Sequence, residues 1–257
     1  MQRDASDTRV NPDLILKAIE KDEVADDART SRGHLKIFFG YAAGTGKTYA
    51  MLQAAHAAKR RGVDVVAGYI EPHERPATAH LAQGLENVPC KLIEHNGIAL
   101  SEFDLDAAIE RAPQLILVDE LAHTNAPGSR HDKRYQDVEE LLHAGIDVYT
   151  TVNVQHIESL NDMVASITGV VVSERIPDRI FDDADQVELV DIEPEDLLER
   201  HLQGSSKVCG HALCVGRLHP GNRVRLQRLR LLGVQPERLQ CRAHHRQRSV
   251  EQEPAYF

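Results

Sequence analysis

The stretch that decides the fold reads His34-Leu35-Lys36-Ile37-Phe38-Phe39-Gly40-Tyr41-Ala42-Ala43-Gly44-Thr45-Gly46-Lys47-Thr48. Its apolar opening predicts a buried strand over 35–39, and Tyr49, Met51, Leu52, Ala54 and Ala55 predict a helix over 47–61. A strand that runs through a glycine-rich turn into Lys-Thr and a helix has the context of a phosphate-binding loop. Glycines let successive backbone N–H groups converge on phosphate oxygens, and the helix N-terminus adds unpaired N–H groups and the positive end of its dipole. Gly40, Ala43, Gly44, Thr45 and Gly46 are thus candidate phosphate-cradling residues. Lys47 is placed to reach the β- and γ-phosphates, and the Thr48 hydroxyl to ligate Mg²⁺. One departure stands out. The usual spacing has a glycine six residues before the lysine; that position holds Tyr41, with Gly40 one residue earlier.

Outward from this loop, short apolar runs alternate with amphipathic ones. The pattern predicts further strands at 63–70, 91–94, 114–119, 146–152 and 187–191, with helices at 76–86, 104–111, 135–143, 156–167 and 194–202. The expected class is α/β, P-loop NTPase-like, with a mostly parallel sheet covered on both faces by helices. Leu115-Ile116-Leu117-Val118-Asp119-Glu120 reads as a strand ending in carboxylates. Asp119 is then a second candidate for holding Mg²⁺, and Glu120 is placed to orient an attacking water or sense the γ-phosphate. Other polar residues at strand ends face the same crevice. Glu71, His73 and Arg75 follow the second strand. Thr150, Thr151, Asn153, Gln155 and His156 lie in or after the fifth, where Asn153 is a candidate contact for the γ-phosphate or its water.

Composition narrows the function classes. The chain of 257 residues is long enough for one full core, and 42% hydrophobic with 27% charged residues is ordinary for a soluble globular protein. No apolar run approaches the roughly 20 residues that cross a bilayer. The polar, acidic N-terminus is not a secretory signal, and four widely spaced cysteines make no disulfide framework, so a cytoplasmic setting is expected. The net charge of −10 conceals a split: residues 204–257 hold ten Lys/Arg against three Glu, while the rest is strongly acidic. An acidic body repels nucleic-acid phosphates, which argues against DNA or RNA as main partner. Residues 1–32 form a polar lead-in in which Asn11-Pro12-Asp13 starts a short helix carrying Leu14, Ile15, Ala18 and Ile19 on one face.

Further runs are longer and more specific than a generic fold requires. Leu121-Ala122-His123-Thr124-Asn125-Ala126-Pro127-Gly128-Ser129-Arg130-His131 follows the carboxylate strand. Lys133-Arg134-Tyr135-Gln136-Asp137-Val138-Glu139-Glu140-Leu141-Leu142 and then 145–156, ending Thr150-Thr151-Val152-Asn153-Val154-Gln155-His156, come after it. With the loop, over about residues 9–203, the chain resembles the N-terminal cytoplasmic domain of the KdpD family of potassium-responsive sensor histidine kinases. The resemblance implies a domain that binds ATP through the loop and the Asp-Glu strand, and that tunes the kinase and phosphatase activities of a distant transmitter. The implied partners are that transmitter, or another signalling protein of the potassium-uptake system, and the response regulator it controls. Full-length members are inner-membrane proteins with further modules that this sequence lacks, so autophosphorylation is not expected and ATP hydrolysis is weak at most.

Two departures qualify the likeness. Glu71-Pro72-His73-Glu74-Arg75 stands where the family tends to have Glu-Thr-His-Gly-Arg. Beyond Gln203 the pattern stops: residues 204–257 contain nine Arg, three Cys, four His and no Asp, Ile or Thr. This tail reads as poorly ordered, with the composition of a frameshifted or degenerate end. The rival reading is a zinc site using Cys209, Cys214 and Cys241 with His211, His244 or His245, or a basic surface for anionic lipid or nucleic acid. For the domain itself two alternatives remain: a soluble P-loop phosphotransferase or slow ATPase, and an interaction module whose nucleotide site has decayed.

Overall fold

A computed structural model describes residues 32–71, 76–95, 97–193 and 195–197. The elements are β1 (Leu35–Gly40), α1 (Lys47–Arg60), β2 (Val65–Tyr69), α2 (Pro76–Ala82), β3 (Glu86–Asn87), β4 (Lys91–His95), β5 (Ile98–Glu102), α3 (Leu105–Arg111) and β6 (Leu115–Val118). After these come α4 (Arg134–His143), β7 (Asp147–Asn153), a 3-10 turn (Val154–His156), α5 (Glu158–Thr168), α6 (Asp178–Asp182) and β8 (Gln186–Leu189). Six strands form one sheet in the order β3-β2-β6-β7-β1-β8, and every pairing in it is parallel. The expected α/β architecture is therefore the observed one.

Parallel strands covered on both faces read as continuous apolar runs, and β1 and β6 do. Ile37, Phe38, Ile116, Leu117 and Val118 are fully buried. Alternation along each strand divides them between two cores. On one face Phe38, Val65, Ala67 and Leu117 pack with Met51, Leu52, Ala55 and Ala58 of α1. On the other, Ile37, Phe39, Ile116, Val118, Val148 and Val152 pack with Val138, Leu141 and Leu142 of α4 and Val164 of α5.

Several expectations need correction. The run 91–94 is not part of the main sheet. It forms β4 of a separate antiparallel hairpin with β5, turned at Gly97 (φ +77°). Leu92 and Ile98 are 72% and 63% exposed, so the hairpin buries only part of one face. Periodicity signals extended backbone without saying which strand it pairs with. The helix expected over 76–86 ends at Ala82, and Glu86–Asn87 instead pairs with β2 as an edge strand. The helix expected from 156 begins at Glu158 after the 3-10 turn, and α6 was not foreseen. The lead-in helix near 11–19, His73 and Arg75, and the tail with its cysteines and histidines lie outside the described residues; of 194–202 only the helical 195–197 fall within them. Among the described residues no helix is long and apolar enough to cross a membrane.

Candidate functional site

β1 ends at Gly40 and the loop 41–46 delivers the chain to the first turn of α1. Gly44 and Gly46 adopt φ +92° and +102°, a left-handed region that side chains penalise. The N-cap is Gly46 and no acidic residue occupies the helix's first turn, while Lys59 and Arg60 sit in its last. The positive end of the α1 dipole is thus left for an anion. Lys47 is largely buried and its Nζ donates to the Ala42 carbonyl at 3.1 Å.

The shifted glycine has a structural explanation. A Cβ on Gly40 would lie 2.6 Å from Thr45 Oγ1 and 3.1 Å from Lys47 Cδ, so the close approach of strand end and loop requires glycine there. Tyr41, at the position where glycine is usual, is 1% exposed and turns inward; its hydroxyl donates to the Ile192 carbonyl at 2.9 Å. The additional loop residue therefore fastens the loop to the segment after β8. Gly40→Ala is expected to displace Thr45 and Lys47 and weaken any phosphate ligand about tenfold, or ~1.4 kcal/mol, with little change in melting temperature; titration of the variant checks this.

β7 lies between β1 and β6, so Asp119 approaches the loop across one intervening strand. The Thr48 hydroxyl nevertheless donates to Asp119 Oδ2 at 3.0 Å, joining a helix start and a strand end 71 residues apart. From β7 the Thr151 hydroxyl donates to Asp119 Oδ1. Register sets Gly40 opposite Asn153, whose Oδ1 is buried with no hydrogen-bond partner. Thr151 and Asn153 share the face of Tyr149, which packs on the α1 side, whereas Thr150 points to the other face, buried with its hydroxyl unpartnered. Thr150 is therefore removed from the crevice set. Glu71 accepts from the Tyr69 hydroxyl at 2.7 Å.

Glu120 has φ +58°, a left-handed conformation that costs a non-glycine residue of order 1–3 kcal/mol. Its side chain reaches solvent at the crevice mouth. Desolvation by surrounding protein and then the charges of Asp119 and Glu71 push its carboxyl up to about 7. A carboxyl so poised exchanges a proton near neutral pH.

Sequence reasoning missed Arg134, which is fully buried at the start of α4. Its Nη2 donates to Glu102 Oε2 at 3.0 Å, its Nη1 to the Asp119 carbonyl at 3.3 Å, and its guanidinium lies 4.0 Å from the Tyr69 ring centroid. Glu102 also accepts from His123 Nε2 at 3.2 Å and the Ala126 N–H at 2.9 Å. Asp137 accepts from Asn125 at 2.7 Å and His131 at 2.9 Å. Loop 121–133 is held by these buried carboxylates. An arginine in a polar run carries no signal of burial; only the contact with Glu102, 32 residues away, reveals it.

A separate recess of about 550 Å³ between α1 and α2 is lined by Gln53, His56, Arg60, His80, Leu81, Gln83 and Gly84. It runs along the later turns of α1, away from the loop, and brings no carboxylate. The chemistry gathers at the C-terminal ends of β1, β6 and β7.

Comparison with known proteins bears on the same region. The family model described as KdpD, osmosensitive K⁺ channel His kinase sensor domain, matches residues 31–214. The chain belongs to the KdpD sensor-domain family. It is 60% identical over 196 residues to sensor protein KdpD of Clostridium acetobutylicum, covering 76% of this chain and 21% of that protein. Identity to sensor protein KdpD of Escherichia coli K12 is 52% over 204 residues, covering 79% and 22%. A putative sensor protein KdpD of Synechocystis is 56% identical over 173 residues, covering 67% and 47%. This KdpD-family chain thus spans about a fifth to a half of the length of these relatives. Among solved structures, a DNA replication initiation factor aligns over 94% of the chain and 66% of its own, with 12% identity and a TM-score of 0.36, too remote to inform the function.

Proposed function

We propose that this domain binds ATP with Mg²⁺ and reports nucleotide state within a two-component sensor kinase that responds to potassium limitation or osmotic stress. The observation that carries the reading is the Thr48–Asp119 hydrogen bond at the mouth of a loop whose glycines hold positive φ. A hydroxyl and a carboxylate meeting beside a helix N-terminus make the hard oxygen donor set that suits Mg²⁺. The buried, unpartnered Asn153 Oδ1 and the Gly40 cradle, which a Cβ would fill, also fit a ligand rather than a closed core.

In this reading Gly40, Ala43, Gly44, Thr45 and Gly46 line the phosphates and Lys47 neutralises them. Thr48 and Asp119 hold the metal, and Asn153 meets the γ-phosphate or its water. Bound Mg²⁺ supplies charge neutralisation at the β- and γ-phosphates. Glu120, with a carboxyl near neutrality, is placed to orient water, which supports slow hydrolysis at most. The domain acts in the cytoplasm on a histidine-kinase transmitter or another protein of the potassium-uptake system; the sequence similarity to KdpD sensors supports that assignment. Calorimetric titration of the chain with ATP, GTP and ADP in Mg²⁺ tests the reading. Absence of triphosphate binding at millimolar ligand overturns it.

A further inference from the structure

The phosphate loop is tied to a segment that contributes no residue to the nucleotide site. β8 is an edge strand of the sheet and pairs with β1 in register from Lys36↔Gln186 to Phe39↔Leu189. The ladder runs on past the last pair, because the Val190 N–H donates to the Phe39 carbonyl at 2.7 Å. Two residues further along each chain the Tyr41 hydroxyl donates to the Ile192 carbonyl at 2.9 Å. Tyr41 is buried, and Ile192 packs against the same core cluster, to which the buried Leu197 also belongs. The chain after β8 is therefore seated on the core at 192 and again at 197.

On its other side Tyr41 adjoins the working part of the loop. The Ala42 carbonyl, one residue on, accepts from Lys47 Nζ at 3.1 Å and from the Thr45 hydroxyl at 3.3 Å. Tyr41 and Lys47 each make a further interaction besides these bonds. In the nucleotide-site reading Lys47 turns to the phosphates and the loop N–H groups close on them, so the Ala42 carbonyl loses its ammonium donor. One residue separates that carbonyl from the ring that holds Ile192. A glycine or alanine at 41 would leave loop and segment joined by the strand ladder alone. A buried tyrosine needs a partner for its hydroxyl, and here the partner is the backbone after β8.

We propose that Tyr41 is the positioning residue through which occupancy of the phosphate loop is read by residues 190–193. This rests on the nucleotide-site reading above and adds the route by which that site is felt outside itself. A bound triphosphate fixes the loop, Tyr41 then holds Ile192 from a rigid anchor, and the segment opens less often. Coupling of this kind travels through packed side chains and hydrogen bonds. It is reciprocal, so whatever holds 190–193 in place favours the triphosphate by the same factor. Asp191 and Glu193 flank Ile192 at the surface, which makes the segment reachable by a partner.

Amide hydrogen exchange of the full chain, ligand-free and saturated with ATP-Mg²⁺, tests this in wild type and Tyr41→Phe. Wild type is expected to slow exchange across 190–193 about fivefold when ATP-Mg²⁺ binds. In Tyr41→Phe the slowing disappears, although ATP-Mg²⁺ still binds, up to about fivefold more weakly. A residue that only braced the fold would slow exchange equally with and without ligand. The reciprocal arm is calorimetric titration of Ile192→Ala, which is expected to lose about fivefold in ATP-Mg²⁺ affinity alone and almost nothing when combined with Tyr41→Phe. Exchange across 190–193 that ignores ATP in a wild type that binds it overturns the proposal but leaves nucleotide binding standing. So does slowing that survives in Tyr41→Phe, or an equal loss from Ile192→Ala in both backgrounds. Should Tyr41→Phe fail to fold, Ile192→Ala alone decides, and an unchanged ATP affinity overturns the coupling. Wild type that binds no ATP removes the underlying reading and this inference with it.

Discussion

Lys47→Ala is expected to weaken ATP-Mg²⁺ binding about a hundredfold or more, the equivalent of ~2.7 kcal/mol. In the proposed site the ammonium makes charge-assisted hydrogen bonds to phosphate oxygens, each contributing about 1.5–3 kcal/mol. Alanine leaves the phosphate charge to the loop N–H groups and the α1 dipole alone. Stability should change little, because the hydrogen bond of the Lys47 ammonium to the Ala42 carbonyl stays within the same loop. Melting curves separate loss of ligand from loss of fold. Unaltered affinity in a folded Lys47→Ala protein favours a different ligand site, and with it the alternative of an interaction module.

Arg134→Met is expected to produce the largest loss of stability. The guanidinium is 0% exposed and paired with Glu102, itself only 6% exposed. Removing one member of a buried pair strands the other and costs about 3–5 kcal/mol. For a domain of this size that is a fall of roughly 10 °C in melting temperature. The loss should spread into loop 121–133, because Glu102 also holds His123 and the Ala126 N–H. Adding Glu102→Gln should restore part of the loss, since the stranded charge is then gone. A shift below about 2 °C in Arg134→Met sinks the account. The pair also predicts acid sensitivity. Desolvation raises the Glu102 carboxyl, but hydrogen bonds from His123 and the Ala126 N–H, together with the charges of His123 and Arg134, hold it below the usual value. Its stabilising contribution is complete above the unfolded carboxylate range and vanishes as pH falls through the depressed folded value.

A long polar segment directly after the carboxylate strand suggests a switch ordered by nucleotide. Here 121–133 is already fastened by Glu102, Arg134 and Asp137, by the Thr124–Lys133 bridge, and by the Leu121 N–H to the Thr151 carbonyl. Glu120 stands immediately before this loop in a left-handed turn, its carboxyl poised near neutrality.

Local chemistry was sufficient for much of this protein. Glycines before Lys-Thr, an apolar run before them and an amphipathic run after them set the loop, β1 and α1, because positive φ, strand burial and helix periodicity are properties of neighbouring residues. The Asp-Glu strand end and the alternation that makes the sheet parallel are legible for the same reason. Tertiary structure decided the rest. That β7 separates β1 from β6, that Thr48 and Asp119 still meet, that 91–94 leaves the main sheet for a hairpin, and that Tyr41 and Arg134 turn inward all depend on residues distant in the chain. Periodicity states how an element is built and which face is apolar; it carries no information about the partner that face will find.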